Sequence, residues 1–346
     1  MKFDVYVWTT PYNAWTYTWG YVNAFEKMGY LGKNGDLASW YNQASYQALF
    51  DGPSEYVVMI APEHHRTQIF GTPEKREAIK KFKQQTGKKF IALVMESLDD
   101  PFGAKSWAAA GHKWLSDNYH RYLHNGAQSN STTKLDEHFE CFDYVFAQDE
   151  IDVEWLNNHG ITSFWMPSCV DTDMFKPTTE KPQNKAAFVG QPHWPRYEFI
   201  KAYPFKFELV TMPRAAYTDP NCKDTTMALV KAFGSYLIGV NMRSPFAGVS
   251  TRTFELMACG VLPVVALPAP NRVLNRKLLA EWGNVFTFDE WSADDINKIR
   301  AYHCHITVNY EQSRQRGLEN SRIVQEKHTP AHRIQEIIAH LGVNHV

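Results

Sequence analysis

The sequence is poor in features that stabilise small or secreted proteins. Its five cysteines, at positions 141, 169, 222, 259 and 304, are odd in number, widely scattered and without metal or disulfide spacing. That excludes a disulfide framework and reads as the reduced thiols of a cytoplasmic protein. No apolar run approaches the roughly 20 residues that span a bilayer. No charged-then-apolar leader precedes Phe3, so neither a membrane span nor a secretory route is expected. The loop after the first apolar segment holds no G-x-G-x-x-G, which removes support for a dinucleotide cofactor. Internal repeats and low-complexity tracts are also missing, so the chain is not a solenoid or a disordered tether. Nor does one sign of charge dominate the whole, since 36 Lys+Arg face 37 Asp+Glu. The halves differ, however: residues 1–170 carry 15 basic against 20 acidic side chains, and residues 171–346 carry 21 against 17. An acidic first half is a poor platform for nucleic acid, and a basic second half suits a negatively charged ligand.

What is present points to two α/β domains. A length of 346 residues exceeds what one core comfortably fills. Hydrophobic residues at 44% and charged residues at 21% are ordinary for a globular protein, whereas 11 Trp and 17 Tyr make the chain rich in aromatics. Most such rings belong to cores, although carbohydrate-handling proteins also use them as stacking surfaces. Short apolar runs alternate with helical patterns. Strands are expected at Phe3–Trp8, Tyr56–Ile60, Phe90–Met95, Phe142–Ala147 and Ile161–Met166, with helices ending near Gly29 and over 37–49, 73–85, 105–123 and 150–158. The lysine-rich helix 73–85 reads as a solvated face. A second series begins at Ala186, with strands at 207–212, 236–241, 262–266 and 284–286. Its helices are expected over 195–202, 225–233, 274–281, 293–302, 306–327 and 330–341.

The second series is organised around Val249–Val265, VSTRTFELMACGVLPVV. Ser250 and Thr251 are helix-capping residues, Gly260 stops the helix in a left-handed conformation, and Leu262–Ala266 is a strand buried on both faces. One glutamate, Glu255, is left on this small apolar helix beside Arg252, where a plain surface ion pair is the competing reading.

An arginine, a Phe-Glu pair and Ala-Cys-Gly before a strand resemble the nucleotide-sugar signature of group-1-like GT-B glycosyltransferases, including the spore-maturation type. Two further segments resemble the same family: MPSCVDTDMFKP (166–177), like the stretch that leaves its first domain, and FVGQPHWPR (188–196), like the opening of its second. The resemblance implies two Rossmann-like doubly wound domains facing across a cleft, with the final helix crossing back. Residues 1–175 would form the acceptor-side domain, 176–325 the nucleotide-sugar domain and 326–346 the crossing helix.

A nucleotide sugar presents a ribose diol and a pyrophosphate, so its pocket needs a carboxylate, cations and a helix N-terminus. Glu255 supplies the first, Arg252 or Arg243 the second, and Ser250, Thr251 and Thr253 the third; Arg196 and Lys201 lie where they could reach the same pyrophosphate. The donor is expected to be a UDP-linked sugar, used as substrate without a metal or other cofactor. Many retaining members carry an additional glutamate, whose position here is Ala247; the choice between retention and inversion therefore stays open. An acceptor-side base is expected after a first-domain strand, at His64, His65 or Glu96, with Asp99 and Asp100 close by. Asp171-Thr172-Asp173 spells D-x-D but falls in the interdomain segment, and His303-Cys304-His305 lacks ligand spacing. The acceptor is a hydroxyl of a glycan, protein or metabolite, or less readily of hydroxymethylated DNA. A sugar- or nucleotide-binding protein that kept this fold without chemistry is the alternative.

Overall fold

Val, Ile and Phe dominate five-residue runs such as FDVYV and YVVMI, and each run becomes a strand buried on both faces. The computed structural model describes residues 1–7, 17–36, 50–62, 70, 72–95, 138–190, 203, 208–210, 223–241, 249–267, 272–288 and 293–342. In the first half these form β1 (Phe3–Val7), α1 (Tyr17–Lys27), β2 (Leu31–Asp36), β3 (Tyr56–Ile60), α2 (Pro73–Thr86), β4 (Lys89–Val94), β5 (Tyr144–Ala147), α3 (Glu150–Asn158) and β6 (Ser163–Trp165). The strands make one parallel sheet in the order β2-β1-β3-β4-β5-β6.

The second half supplies β7 (Gln183–Val189), β8 (Glu208–Val210), α4 (Lys223–Gly234), β9 (Tyr236–Asn241), α5 (Thr251–Ala258), β10 (Leu262–Ala266), α6 (Val273–Glu281), β11 (Phe286–Phe288), α7 (Ala293–Val308), α8 (Tyr310–Lys327) and α9 (Pro330–His340). Its sheet runs β11-β10-β9-β7-β8, again parallel throughout. Two doubly wound α/β units follow, as the alternating pattern implies. Successive side chains feed opposite faces: in β3, Val57 and Met59 join one core cluster while Val58 and Ile60 join another.

The final helix closes the circuit. α9 opens on Pro330 behind a capping box formed by Thr329 and His332. Its Ile334, Ile337 and Ile338 lie one turn apart and pack into the first sheet's cluster with Val5, Tyr21 and Phe25. The crossing expected from the resemblance is therefore present. Arg333 of the same helix is buried and donates to the carbonyls of Pro167 (2.8 Å) and Ser168 (3.1 Å), tying α9 to the segment between the sheets.

Three local departures have physical causes. β2, LGKNGD, has no apolar run to announce it, yet it pairs with β1 as an edge strand. A Cβ at Gly32 would collide with Ser54 Oγ, and one at Gly35 with the Tyr6 ring, so glycine is what lets this edge approach. Next, α7 continues through the expected break at 303–305 to Val308; the chain turns at Asn309, whose amide donates to the His305 carbonyl (2.9 Å). Last, β11 lies two residues later than the spacing implied, at Phe286–Phe288. The helices expected over 37–49, 105–123 and 195–202 lie outside the described residues. Among the described residues, no helix is long and apolar enough to cross a membrane.

Candidate active site

In an open parallel sheet, the crevice beyond the strand carboxyl ends opens where the strand order reverses. The second sheet reverses between β7 and β9, because β8 and β9 lie on opposite sides of β7. Three pieces converge there: Val189-Gly190 at the end of β7, Asn241 at the end of β9, and the start of α5. Gly190 has φ 148°, and a Cβ on it would come within 3.0 Å of Arg252 Nη1. Only glycine lets the strand end and the guanidinium share this space.

α5 is short, buried from Thr253 to Ala258, and stopped as its sequence suggests. Gly260 takes φ 76°, its N–H donates to Met257 O (2.9 Å), and the Val261 N–H donates to Leu256 O (3.1 Å). This six-to-one, five-to-two pattern is a Schellman stop, with Val261 and Leu256 in one apolar cluster. At the other end Ser250 occupies the N-cap, yet its side chain makes no cap hydrogen bond. Its Oγ instead accepts from Asn241 Nδ2 (2.8 Å), which also donates to Thr253 Oγ1 (2.7 Å). The Thr253 hydroxyl thus faces the strand, and its N–H donates to Ser250 O (2.9 Å). Thr251 Oγ1 lies 2.7 Å from Ser168 Oγ, joining the helix to the interdomain segment that Arg333 grips.

Glu255 is one turn further on and only 3% exposed. Its Oε2 accepts from Arg252 Nε (3.1 Å), while Arg252 Nη1 donates to the Val189 carbonyl and the guanidinium carbon sits 5.0 Å from the Phe233 ring centroid. The competing reading of a surface pair therefore fails on burial: the pair is sequestered at the switch point. Burying an ion pair costs desolvation that stability alone does not require. Cys259, next in line, is a buried thiol whose pKa is pushed far up by burial and by the Glu255 carboxylate, so it stays protonated.

The structure therefore brings together Glu255, Arg252, Ser250, Thr251 and Thr253. Arg243, Arg196 and Lys201 lie outside the described residues, as do His64, His65, Glu96, Asp99, Asp100 and Ala247. The D-x-D letters have other work. Asp171 Oδ1 accepts from the Asp173 N–H (3.0 Å) in a linker turn, and the Asp173 carboxylate pairs with Lys27. His303 is buried within α7 with Nε2 2.8 Å from the Tyr203 hydroxyl; burial pulls its pKa down to about 4. Among the described residues, no group of three or more His, Cys, Asp or Glu is arranged to hold a metal.

Sequence reasoning missed Asn241, Asn275, Ser168 and the Asp149–Arg272 pair. Asn241 had a signal, since a buried strand that ends on a polar amide needs partners for it. The others act across more than 80 residues and had none.

Fold and switch-point site define a GT-B protein: two parallel, doubly wound domains joined by a crossing C-terminal helix. Residues 172–339 match the model of the glycosyl transferase-like family. The second half of the chain carries that glycosyl transferase-like domain, and the two-domain fold around it is the GT-B fold. No curated protein matches the sequence. Similar solved structures include Anabaena Alr3699/HepE in complex with UDP, at 9% identity and TM-score 0.55, covering 99% of this chain and 100% of that one. The same Anabaena protein in complex with UDP-glucose aligns at 8% identity and TM-score 0.55, again over 99% and 100%. The OtsA apo structure aligns at 9% identity and TM-score 0.56 over 100% of both chains. At such identities these similarities speak for the fold.

Proposed function

We propose that the donor is a UDP-linked sugar and that the transferred group is a hexose or pentose. Glu255 grips the donor ribose through its diol. Arg252 or Arg243 neutralises the diphosphate with the N-terminal end of α5 at Ser250, Thr251 and Thr253, and Arg196 and Lys201 approach the same phosphates. The observation that carries this reading is the burial of Glu255, held by Arg252, at the strand-order reversal of the second sheet. A helix N-terminus favours negative charge, and a carboxylate is the side chain that accepts two hydroxyls. The UDP and UDP-glucose complexes of the HepE protein, which shares this fold, support the choice of nucleotide.

The reaction needs neither metal nor separate cofactor in this reading, because arginine and helix amides meet the diphosphate charge. The acceptor is a hydroxyl of a glycan, protein or metabolite. Its proton passes to a first-domain base among His64, His65 and Glu96. We place the reaction in the cytoplasm, in keeping with the free thiols of Cys141, Cys169, Cys259 and Cys304. Incubating the protein with radiolabelled UDP-, GDP-, ADP- and dTDP-sugars tests the proposal: UDP-sugar turnover is expected, in the presence of EDTA as in its absence. Turnover confined to another nucleotide, or lost with EDTA, defeats the corresponding part.

A further inference from the structure

The start of α5 is connected to the first domain by a short relay of hydrogen bonds. α3 of the first domain and α6 of the second meet near their N-termini. Glu150 reaches across: its Oε1 accepts from the Leu274 N–H (2.8 Å) and its Oε2 from the Asn275 N–H (2.8 Å). A first-domain carboxylate thus caps a second-domain helix, where the dipole favours it. The Asn275 side chain, 1% exposed, carries the contact onward. Its Nδ2 donates to Gln148 O (3.3 Å) and to Glu150 Oε2 (3.2 Å), and its Oδ1 accepts from the Val249 N–H (3.2 Å). Val249 immediately precedes Ser250, the N-cap of α5.

The chemistry of the amide explains why asparagine stands here. Its donor end faces two acceptors of the first domain and its acceptor end faces a buried backbone N–H of the second, an arrangement that neither aspartate nor leucine satisfies at both ends. Val249 is buried, so its N–H depends on this partner. When α3 and α6 are docked, the position of Val249, and with it the first turn of α5, is referenced to the first domain. When they separate, Asn275 loses both first-domain acceptors and the reference goes with them.

We propose that Asn275 is a positioning residue for the donor site, coupling Glu150 and Gln148 of the first domain to the N-terminal end of α5. This rests on the reading that α5 and Glu255 hold the donor. The relay makes docking of the two domains and preorganisation of donor binding one event, so nucleotide affinity reports the first-domain contact although the contact touches no nucleotide.

The test titrates the full-length protein with UDP, GDP, ADP and dTDP, follows the tightest binder, and measures the melting temperature of each variant alongside. Asn275→Ala and Glu150→Gln are each expected to weaken that nucleotide about fivefold at a temperature where both stay folded, and the double variant no more than the worse single one. Asn275→Asp keeps the acceptor for Val249 but sets a carboxylate against Glu150 and the Gln148 carbonyl. It is expected to weaken binding as much as Asn275→Ala, although Val249 keeps its partner. A merely local role predicts instead that Asn275→Asp binds like the wild type, or that the Glu150 and Asn275 effects add; either result overturns the coupling. Should Asn275→Ala fail to fold, Glu150→Gln and Asn275→Asp carry the same decision. Glu255→Gln serves as the control. If it leaves affinity unchanged, or if no nucleotide binds the wild type, the donor-site reading falls. If it weakens affinity while the Asn275 and Glu150 variants do not, only the coupling falls.

Discussion

Arg272 and Asp149 belong to different domains, and they meet where water does not reach: the side chains are 0% and 3% exposed. Arg272 Nη2 lies 3.0 Å and Nε 3.1 Å from Asp149 Oδ2, and Asp149 Oδ1 also accepts from the Ile151 N–H (3.1 Å) as the N-cap of α3. One carboxylate therefore starts a first-domain helix and neutralises a second-domain cation. Two charges desolvated together become costly when either is left alone.

Asp149→Ala is accordingly expected to destabilise the folded protein by about 3–5 kcal/mol, because it removes the carboxylate that faces the buried Arg272 guanidinium. Replacing both partners, as in Asp149→Ala with Arg272→Met, should recover much of that loss, leaving chiefly the missing cap at about 1 kcal/mol. Urea unfolding of the two variants decides the matter; equal losses would mean that the guanidinium is stabilised by something other than Asp149.

Glu255→Gln is expected to weaken nucleoside diphosphate binding by about 1–3 kcal/mol, roughly 5- to 150-fold, because a charge-assisted acceptor of the ribose diol is lost. The same change disturbs the ion pair with Arg252, so some fall in melting temperature accompanies it. Affinity and stability must therefore be measured on one sample. A lowered melting temperature with an unaltered dissociation constant would make Glu255 a structural partner of Arg252 and nothing more. For the phosphate side, Arg252→Ala or Arg243→Ala should weaken the same equilibrium, and two unchanged constants would refute that assignment.

Gly317→Ala is a substitution whose sign the local sequence gets wrong. In a helix interior, alanine normally gains about 1 kcal/mol over glycine. In α8, however, the new Cβ would collide with the backbone carbonyl of Gly260, in the turn that ends α5. A net destabilisation of about 1–3 kcal/mol is expected, as for other overpacked contacts, with a lower melting temperature as the readout. A rise would show that α8 can move off the turn freely.

Stability should fall in acid through two histidines. His328 is packed between Phe254 and Trp282 and accepts from Arg333 at Nδ1 (2.7 Å); an arginine can only donate, so the ring is held neutral. Burial first, then the Arg333 charge, pulls its pKa from 6.5 down to about 3, and burial pulls that of His303 from 6.5 down to about 4. Folded-state values below the unfolded ones mean that the unfolded chain binds the proton more tightly. The contribution is complete above pH 6.5 and is lost as pH falls from there toward 4 and 3. Each ring adds a slope of about 1.4 kcal/mol per pH unit in that window. Urea midpoints at pH 7.5 and pH 5 should differ less for His328→Gln and His303→Gln than for the wild type; an identical difference would remove the histidines from the account.

In the first domain, at least one of His64→Ala, His65→Ala and Glu96→Ala is expected to lower turnover by about 100-fold or more while leaving donor affinity within a small factor, the pattern of a lost proton acceptor. Steady-state rates with a saturating UDP-sugar and the best acceptor check this. Full turnover in all three variants would place the base elsewhere.

Which features were readable from the chain alone follows from the range of the forces involved. Ser250 and Gly260 delimit α5 through capping chemistry within a few residues, and YVVMI or YLIGVN specifies a doubly buried strand by its own hydrophobicity. Even Glu255 stands out, as a lone acid on a helix of small and apolar neighbours. β2 escaped because its two glycines answer to the Tyr6 ring and the Ser54 hydroxyl rather than to any strand propensity. The burial of the Arg252–Glu255 pair, its place at the reversal between β7 and β9, and the use of the Ser250 hydroxyl by Asn241 were settled only when the sheet assembled. The contacts that join the domains were out of reach altogether. Asp149 and Arg272 are 123 residues apart, and Gln148 and Asn275 are 127 apart. Nothing local distinguishes these residues from solvated polar side chains. Their roles come from the docking of two sheets that each bury their own core, and short-range pattern carries no information about that geometry.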